Sequence, residues 1–105
     1  MKINGKWLAD NGQVTPFNLH TGRGQIYDDA GDVVEFVDNS FTVNLEVPFT
    51  VKENGENLQV VMDINQWFNA HRMFDLDEWG GSIMQNQEAQ ELLRDNGVSV
   101  FSLKD

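Results

Sequence analysis

Apolar and polar residues alternate with a period of two along much of this chain, which is the pattern of half-buried β-strands. The alternation is clearest over positions 41–47, where Phe, Val, Leu and Val are separated by Thr, Asn and Glu. Positions 58–64 repeat it, and the polar link between them carries Asn54-Gly55, a dipeptide typical of tight turns. We therefore predict that these two segments form a hairpin. Weaker alternation predicts further strands over 6–9, 14–19, 25–27 and 33–37.

The strongest helical pattern lies near the C-terminal end. The segment Gln85–Asp95 has apolar residues at the spacing of one helix face. Asn86 is suited to cap the start of this helix, and Gly97 is suited to end it in a left-handed conformation. The apolar stripe consists of Ala89, Leu92 and Leu93.

Shorter elements are predicted on either side of this helix. Trp67 and Phe68 indicate one helical turn that Asn65 is suited to cap, residues 73–81 have no regular pattern, and residues 98–103 return to a strand. Turn-forming Gly, Asn and Asp recur about every ten residues, which is the rhythm of antiparallel β domains. We therefore predict a single β-rich domain over 1–105. Its fold class is mainly β: an antiparallel β-sandwich or strongly bent sheet with one or two short C-terminal helices.

The charge of the chain excludes two classes of partner. Seven Lys and Arg stand against seventeen Asp and Glu, which gives a net charge of −10. So acidic a chain does not bind nucleic acid by neutralising phosphates, nor dock on an anionic membrane. No apolar run approaches the roughly 20 residues that span a bilayer, so membrane insertion is not expected. The expected partners are metal ions, basic proteins or neutral molecules.

The sequence offers no recognisable catalytic constellation. Cysteine is absent, which excludes disulfides, thiolate zinc sites and a cysteine nucleophile. Neither histidine lies near a nucleophile elbow, and Gly22-Arg23-Gly24 is too short for a phosphate loop. We therefore predict that the protein is not an enzyme. Its first residues lack the apolar core of a signal peptide, so we expect either a cytoplasmic protein or an exported form whose signal has been removed.

One stretch concentrates carboxylates in a way that suits calcium. Calcium prefers clustered carboxylate and carbonyl oxygens, and a glycine-turned acidic loop supplies them. A solvated hairpin turn with surface acids is the simpler explanation of the same pattern. The acids, with no base between them, are Asp28, Asp29, Asp32, Glu35 and Asp38.

A second set of side chains suits a softer ion. His20, His71 and Met73 supply imidazole and thioether groups, which together favour copper, above all Cu(I). Residues two apart in a strand-like segment point to one side, so His71 and Met73 are expected to face one ion. Met62 and Met84 are expected auxiliary ligands. The alternative is that the methionines fill core gaps and the histidines are ordinary surface residues.

Trp79 is the aromatic residue most suited to contact a ligand or partner. It lies in the polar segment 75–81, beside Gly80-Gly81, where a loop tip would expose it. With Tyr27 it supports a third hypothesis, a carbohydrate- or ligand-binding β-sandwich, which rests on fold analogy.

Several phrases of the chain resemble MbnP-like domains, the methanobactin-associated family of bacterial periplasmic proteins. The resemblance implies a β-sandwich, a location in the bacterial envelope and copper binding, with His20 as the favoured ligand in its Leu-His-x-Gly phrase. Trp79 departs from the polar or His-like residue expected just before Gly80-Gly81. The phrases that carry the resemblance are 18–22, 41–51, 62–68 with 74–76, and 83–86 with 96–101.

These features lead to two main hypotheses about function. The first is a non-enzymatic binding domain of the bacterial envelope that binds copper through His20, His71 and Met73. The alternative is a small acidic cytoplasmic protein that binds a basic protein partner or mimics nucleic acid. Its contact face would be the acidic stretch 28–38, because a large field of one sign steers association.

Overall fold

The computed structural model describes residues 1–48 and 50–104. The prediction of a mainly β chain with antiparallel strands is confirmed, and the helices of the C-terminal half are three rather than one or two. In chain order, the elements within the described residues are β1 (Lys2–Leu8), β2 (Val14–His20), β3 (Arg23–Tyr27), β4 (Val33–Asp38), β5 (Gln59–Met62), α1 (Asn65–Phe68), α2 (Leu76–Trp79), α3 (Gln87–Gly97) and β6 (Phe101–Lys104).

The strands of the described ranges pair as three two-stranded antiparallel sheets. The first is the β1–β2 hairpin, whose turn contains Gly12 with a φ of 83°. The second is the β3–β4 hairpin, which turns at Gly31 with a φ of 86° and carries a bulge between Ile26 and Tyr27. In the third sheet β5 pairs with β6, from Gln59 opposite Lys104 to Met62 opposite Phe101. The alternation predicts a strand at each of these places, although β1 begins at Lys2, four residues before the predicted strand over 6–9.

The predicted hairpin between 41–47 and 58–64 is not formed. β5 pairs with β6 instead, and residues 41–48 belong to no strand. The turn between them is present, since Gly55 has a φ of 82° and its N–H donates to the carbonyl of Lys52. β6 follows closely on α3, and the N–H of Asp63 donates to the carbonyl of Val100, which extends the β5–β6 pairing. Helix α3 therefore brings β6 beside β5, in the place where the sequence pattern predicted segment 41–47.

Helix α3 forms the centre of the hydrophobic core. The predicted cap is confirmed, because the Asn86 side chain accepts a hydrogen bond from the N–H of Ala89 at 3.0 Å. The helix packs its apolar stripe against the end of β2 and against the chain on either side of α2. The buried cluster consists of Leu19, Phe74, Ile83, Ala89, Leu92 and Leu93.

The two shorter helices differ from the sequence prediction at their starts. Asn65 is the first residue of α1 rather than its cap, and its N–H donates to the Asp63 carboxylate. Helix α2 lies in a segment predicted to be irregular. Its cap is Asp75, whose side chain accepts from the N–H of Asp77, and Glu78 follows in the first turn. An acceptor followed three residues later by Glu is a helix-start signal that identifies this turn.

Gly97 is required for close packing and not for a left-handed conformation. It is the last residue of α3 and is not among the glycines with positive φ, so the predicted left-handed ending is wrong. A Cβ at this position would lie 2.5 Å from the Phe41 ring and 2.7 Å from the Trp67 ring. These two rings meet edge to face over the glycine, with centroids 5.8 Å apart.

The molecule is extended for its length. Its Cα radius of gyration is 17.6 Å and its principal extents are 62 × 38 × 21 Å. A compact domain of this size has a radius of about 13 Å. The separate sheets therefore leave more strand surface outside the core than a closed sandwich would.

We expect Gly97→Ala to destabilise the protein by about 1–3 kcal/mol, because the added methyl group overpacks the contact of Phe41 with Trp67. Gly22→Ala is the matched control, since a Cβ there meets nothing within 4 Å. Denaturant unfolding followed by tryptophan fluorescence measures both. Equal stability of the two variants would contradict the packing role of Gly97.

Candidate binding groove

Two buried side-chain amides on α3, those of Gln90 and Asn96, hold the neighbouring segments of the chain in place. The Gln90 side chain is 3% exposed, and its Nε2 donates to the carbonyls of Ile83 and Met84. Its Oε1 accepts from the Gly22 N–H and from the Asn39 side chain. Four hydrogen bonds of one amide therefore hold the β2–β3 connection and the end of the β3–β4 hairpin against the helix.

Asn96 does the same at the other end of α3. Its side chain is fully buried, and its Oδ1 accepts from the backbone N–H groups of His71 and Arg72 at 3.0 and 3.1 Å. Its Nδ2 donates to the carbonyls of Trp67 and Arg72 at 2.9 and 2.8 Å. Asn96 continues the stripe of Ala89, Leu92 and Leu93 at helical spacing, so its burial is readable from the sequence. The amide fixes α1 and the chain after it.

An open apolar groove lies beside this fixed unit. Its volume is about 580 Å³, within the range of ligand pockets. Four parts of the chain wall it: the start of β1, segment 41–45, the β5–β6 sheet and α1. The lining residues, apolar apart from Lys2, are Met1, Lys2, Ile3, Phe41, Val43, Leu45, Val60, Met62, Trp67 and Phe101.

Segment 41–47 forms one wall of the groove, and it is anchored at one end. Asn39 exchanges side-chain hydrogen bonds with Gln87 and Gln90, and the Phe41 ring packs on Trp67. Beyond Phe41 the segment passes β6, with residues 44–47 facing residues 101–103 across a shallow cleft. Among the described residues, no backbone hydrogen bond pairs 41–47 with another segment. The groove is therefore bordered by unpaired backbone groups.

The outer wall of the groove is exposed apolar sheet. All four residues of β5 are exposed, including Val60 at 61% and Met62 at 51%. In the described ranges β5 pairs with β6 alone, so its other edge is also unpaired. An apolar patch bordered by polar residues commonly marks an interaction surface.

The segment that borders the groove is acidic. Residues 41–63 contain four acidic side chains, Glu46, Glu53, Glu56 and Asp63, and one basic side chain, Lys52. Lys52 forms an exposed ion pair with Glu56 at 3.2 Å, which leaves Glu46, Glu53 and Asp63 without an opposite charge in this segment. The potential on this side of the groove therefore favours a cation.

The predicted copper ligands lie in separate surroundings. His20 ends β2 and lines a cleft with Met84 and Gln90. The backbone of His71 is held by Asn96, and its Nε2 lies 3.5 Å from the Ser99 hydroxyl. Gln90 lines the cleft of His20, and Asn96 holds the backbone of His71. These two residues are six apart on α3, which is about 9 Å along the helix axis.

Met73 and Met62 also have different neighbours, whereas the other auxiliary methionine, Met84, shares the cleft of His20. Met73 is 64% exposed and lines a cleft with Trp7 and Phe68, whereas Met62 lines the apolar groove. In the described part of the chain, no group of three or more His, Cys, Asp or Glu is placed to hold a metal ion. The copper site stays a prediction.

The acidic stretch forms an exposed hairpin turn. Asp28 Oδ1 accepts from the N–H groups of Ala30 and Asp32, so part of this carboxylate already serves the turn. The Ser40 N–H donates to Asp38 at 2.8 Å and, with the Ser40 side chain, lowers the pKa of that carboxyl. The acids predicted for calcium or a basic partner lie on or beside β3–β4, and all are exposed: Asp28, Asp29, Asp32, Glu35 and Asp38.

Trp79 lies in a helical turn rather than at a loop tip. It ends α2, is half-buried against the core, and stacks on Phe74 with centroids 6.2 Å apart. Tyr27 lies in the separate β3–β4 hairpin and donates its hydroxyl to Gln25. The two aromatics of the carbohydrate hypothesis therefore belong to different elements.

Comparison with known proteins leaves the chain without an assigned family. No family model matches it, and neither does a curated protein or a solved structure. No helix among residues 1–48 and 50–104 is long and apolar enough to cross a membrane.

We expect Asn96→Ala to destabilise the protein by about 2–4 kcal/mol, because it removes every partner that the amide supplies to 67–72. Asn4→Ala, at an exposed position on β1, is the control and should change stability by less than about 0.5 kcal/mol. Denaturant midpoints measure the difference. A midpoint of Asn96→Ala close to that of Asn4→Ala would contradict the role of the amide.

We expect His20 and His71 to act independently on any stabilisation by Cu(I). The test compares the Cu(I)-induced rise in unfolding midpoint for His20→Ala, His71→Ala and the double variant under anaerobic reducing conditions. Separate surroundings predict that the two single effects add. If each single variant abolished a rise of several degrees, the histidines would share one ion after all.

Proposed function

We propose that this chain is a non-enzymatic binding domain that takes an extended segment of a basic protein partner into the apolar groove. The observation that carries the proposal is the groove itself, an apolar surface walled by a strand and a strand-like segment with unpaired edges. A ligand in this groove removes Val60 and Met62 from water.

An extended chain fits the groove better than a compact molecule. Backbone N–H and C=O groups along 41–47 and on the edge of β6 that faces this segment have no strand partner in the described ranges. An added strand supplies these hydrogen bonds, and its alternate side chains fill the apolar groove. Main-chain pairing gives affinity, while Phe41, Val43 and Leu45 select apolar side chains.

The negative charge of the chain favours a partner with positive charge. The net charge is −10, and residues 41–63 contribute four acids against one base. A basic segment is attracted by this field, whereas a second copy of the same acidic chain is repelled. The proposed occupant is therefore a strand whose apolar residues alternate with Lys or Arg.

The resemblance to MbnP-like domains remains a further proposal, and with it the bacterial envelope as the location. Its support is that the phrases at 62–68, 83–86 and 96–101 correspond to the β5–α1 junction, the capped start of α3 and the start of β6. A closed β-sandwich is likewise proposed, as the form the groove takes when a strand fills it. Copper binding has no support from the positions of His20, His71 and Met73.

We expect a synthetic octapeptide that alternates Lys and Val to bind saturably, and to bind more weakly as salt screens the charges. Fluorescence anisotropy measures the affinity. The same peptide with Glu in place of Lys is not expected to bind, because like charges repel. A Lys–Val peptide with proline at two central positions should bind at least about tenfold more weakly, because proline lacks the N–H that a ladder requires.

A matched pair of variants locates the binding surface. Val60→Glu places a charge in the groove, and Val34→Glu places the same charge on β4, at a residue equally exposed at 61%. We expect the first to weaken peptide binding about tenfold or more and the second less than about twofold. Equal effects would contradict the groove.

Hydrogen exchange tests the strand pairing directly. The amides of residues 41–47 should exchange rapidly in the free protein and slow down in the peptide complex, because the added strand becomes their partner. Protection of these amides in the free protein would overturn the proposal, since the segment would then be paired within its own chain.

A further inference from the structure

A second cleft, the basic cleft, lies at the start of β1, next to the groove. It is formed by the ends of the β1–β2 hairpin, the start of β3 and the chain that leads into α3. Its volume is about 330 Å³, at the small end of the range for ligand sites. The side chains on which the argument depends are Lys2, His20, Thr21, Arg23, Met84 and Gln90.

The charges around the basic cleft are the reverse of those of the chain. Two of the seven Lys and Arg residues and one of the two histidines line it. None of the acidic residues among 1–48 and 50–104 does. Uniformly distributed charges would place more acids than bases here, so the cleft is a local positive region on a negative protein.

The pairing of β1 with β2 gives the basic cleft a defined geometry. Lys2 lies opposite His20 in the ladder, and Arg23 begins the next strand three residues after His20. The Gly22 N–H is held by the buried Gln90 side chain, which fixes the backbone between the two basic residues. Three potential donors from two hairpins therefore converge on a small cleft.

Arg23 lies over the ring of Phe36 and also interacts with one acid, Asp38. Its guanidinium lies 4.5 Å from the centre of the Phe36 ring. Asp38 lines the neighbouring cleft together with Arg23, and the charge of Arg23 contributes to the lowered pKa of Asp38. A guanidinium has five N–H donors, so a contact with Asp38 leaves others for a second anion.

We propose that the basic cleft binds a compact oxyanion with two negative charges, the chemistry shared by a phosphate monoester and a small dicarboxylate. Lys2 and Arg23 supply charge-assisted hydrogen bonds, and His20 and the Thr21 hydroxyl supply further donors. Met84 provides an apolar wall for the carbon skeleton. This assigns His20 to anion binding rather than to copper, and it does not rest on the groove having a peptide ligand.

The test is a pair of NMR titrations of the full chain at low ionic strength, one with inorganic phosphate and one with succinate. We expect saturable shifts of the backbone amides of residues 20–23 with at least one of them. Phosphate alone would identify a phosphate-type site, and succinate alone a dicarboxylate site. The absence of saturable shifts at 20–23 with both would overturn the proposal.

Charge-matched variants separate a defined site from general attraction. Lys2→Gln and Arg23→Gln should each weaken binding about tenfold, the loss expected for one charge-assisted hydrogen bond. The variants are compared at physiological salt, and Lys6→Gln is the control, because it removes the same charge from the same strand about 13 Å away, beyond the Debye length at that salt. An equal loss in Lys6→Gln would overturn the proposal.

His20→Gln checks the histidine separately. It should weaken the anion several-fold while leaving the binding of the Lys–Val peptide unchanged, since His20 does not line the groove. Unchanged anion affinity in this variant would remove His20 from the site. Loss of both activities with an unchanged unfolding midpoint would contradict the assignment of His20 to the basic cleft alone.

Discussion

The hydrogen bonds of two buried amides on α3 are the interaction on which the rest of the structure depends. Gln90 and Asn96 each use both lone pairs of the oxygen and both hydrogens of the nitrogen. Gln90 fixes the junction between the two N-terminal hairpins, and Asn96 fixes α1 with the chain after it. Inside a protein such networks stabilise only when every member is paired, because an unpaired buried amide is costly. The apolar core packs between these two attachment points, which therefore determine where the groove and the basic cleft lie.

Local sequence patterns predicted the local structure, but they did not predict which strand pairs with which. The capped start of α3 and both N-terminal hairpins depend on interactions between residues close in the chain, so Asn86, Gly12 and Gly31 were sufficient signals. A period of two indicates which face of a strand a residue occupies and not which strand lies beside it. The pairing of β5 with β6 depends on the position of α3, and Gly97 is required by Phe41 and Trp67, which are distant in sequence.

The candidate site could be predicted only in part for the same reason, because a local pattern does not identify the segment that lies beside it. The alternating residues of 41–47 were predicted to form a half-buried strand, but they form no strand and line an open groove, because the segment is anchored at Asn39 and Phe41 and unpaired beyond them. The copper hypothesis failed to find structural support for the converse reason. Residue type indicated the chemistry of His20 and His71, but the length of α3 between Gln90 and Asn96 determines how far apart their attachments lie.

Acids predominate along residues 41–63 beside the groove, whereas bases line the basic cleft, and Lys2 lines both surfaces. A basic segment in the groove is repelled by the Lys2 ammonium, while an oxyanion in the basic cleft is attracted by it. An anion bound beside Lys2 offsets that repulsion, so each proposed ligand should favour the binding of the other. Thermodynamic linkage requires this coupling to be equal in both directions. Its size falls with salt, because Lys2 is exposed and its charge is screened. Lys2 is therefore a side chain through which the two proposed ligands, an anion and a cationic segment, would be coupled.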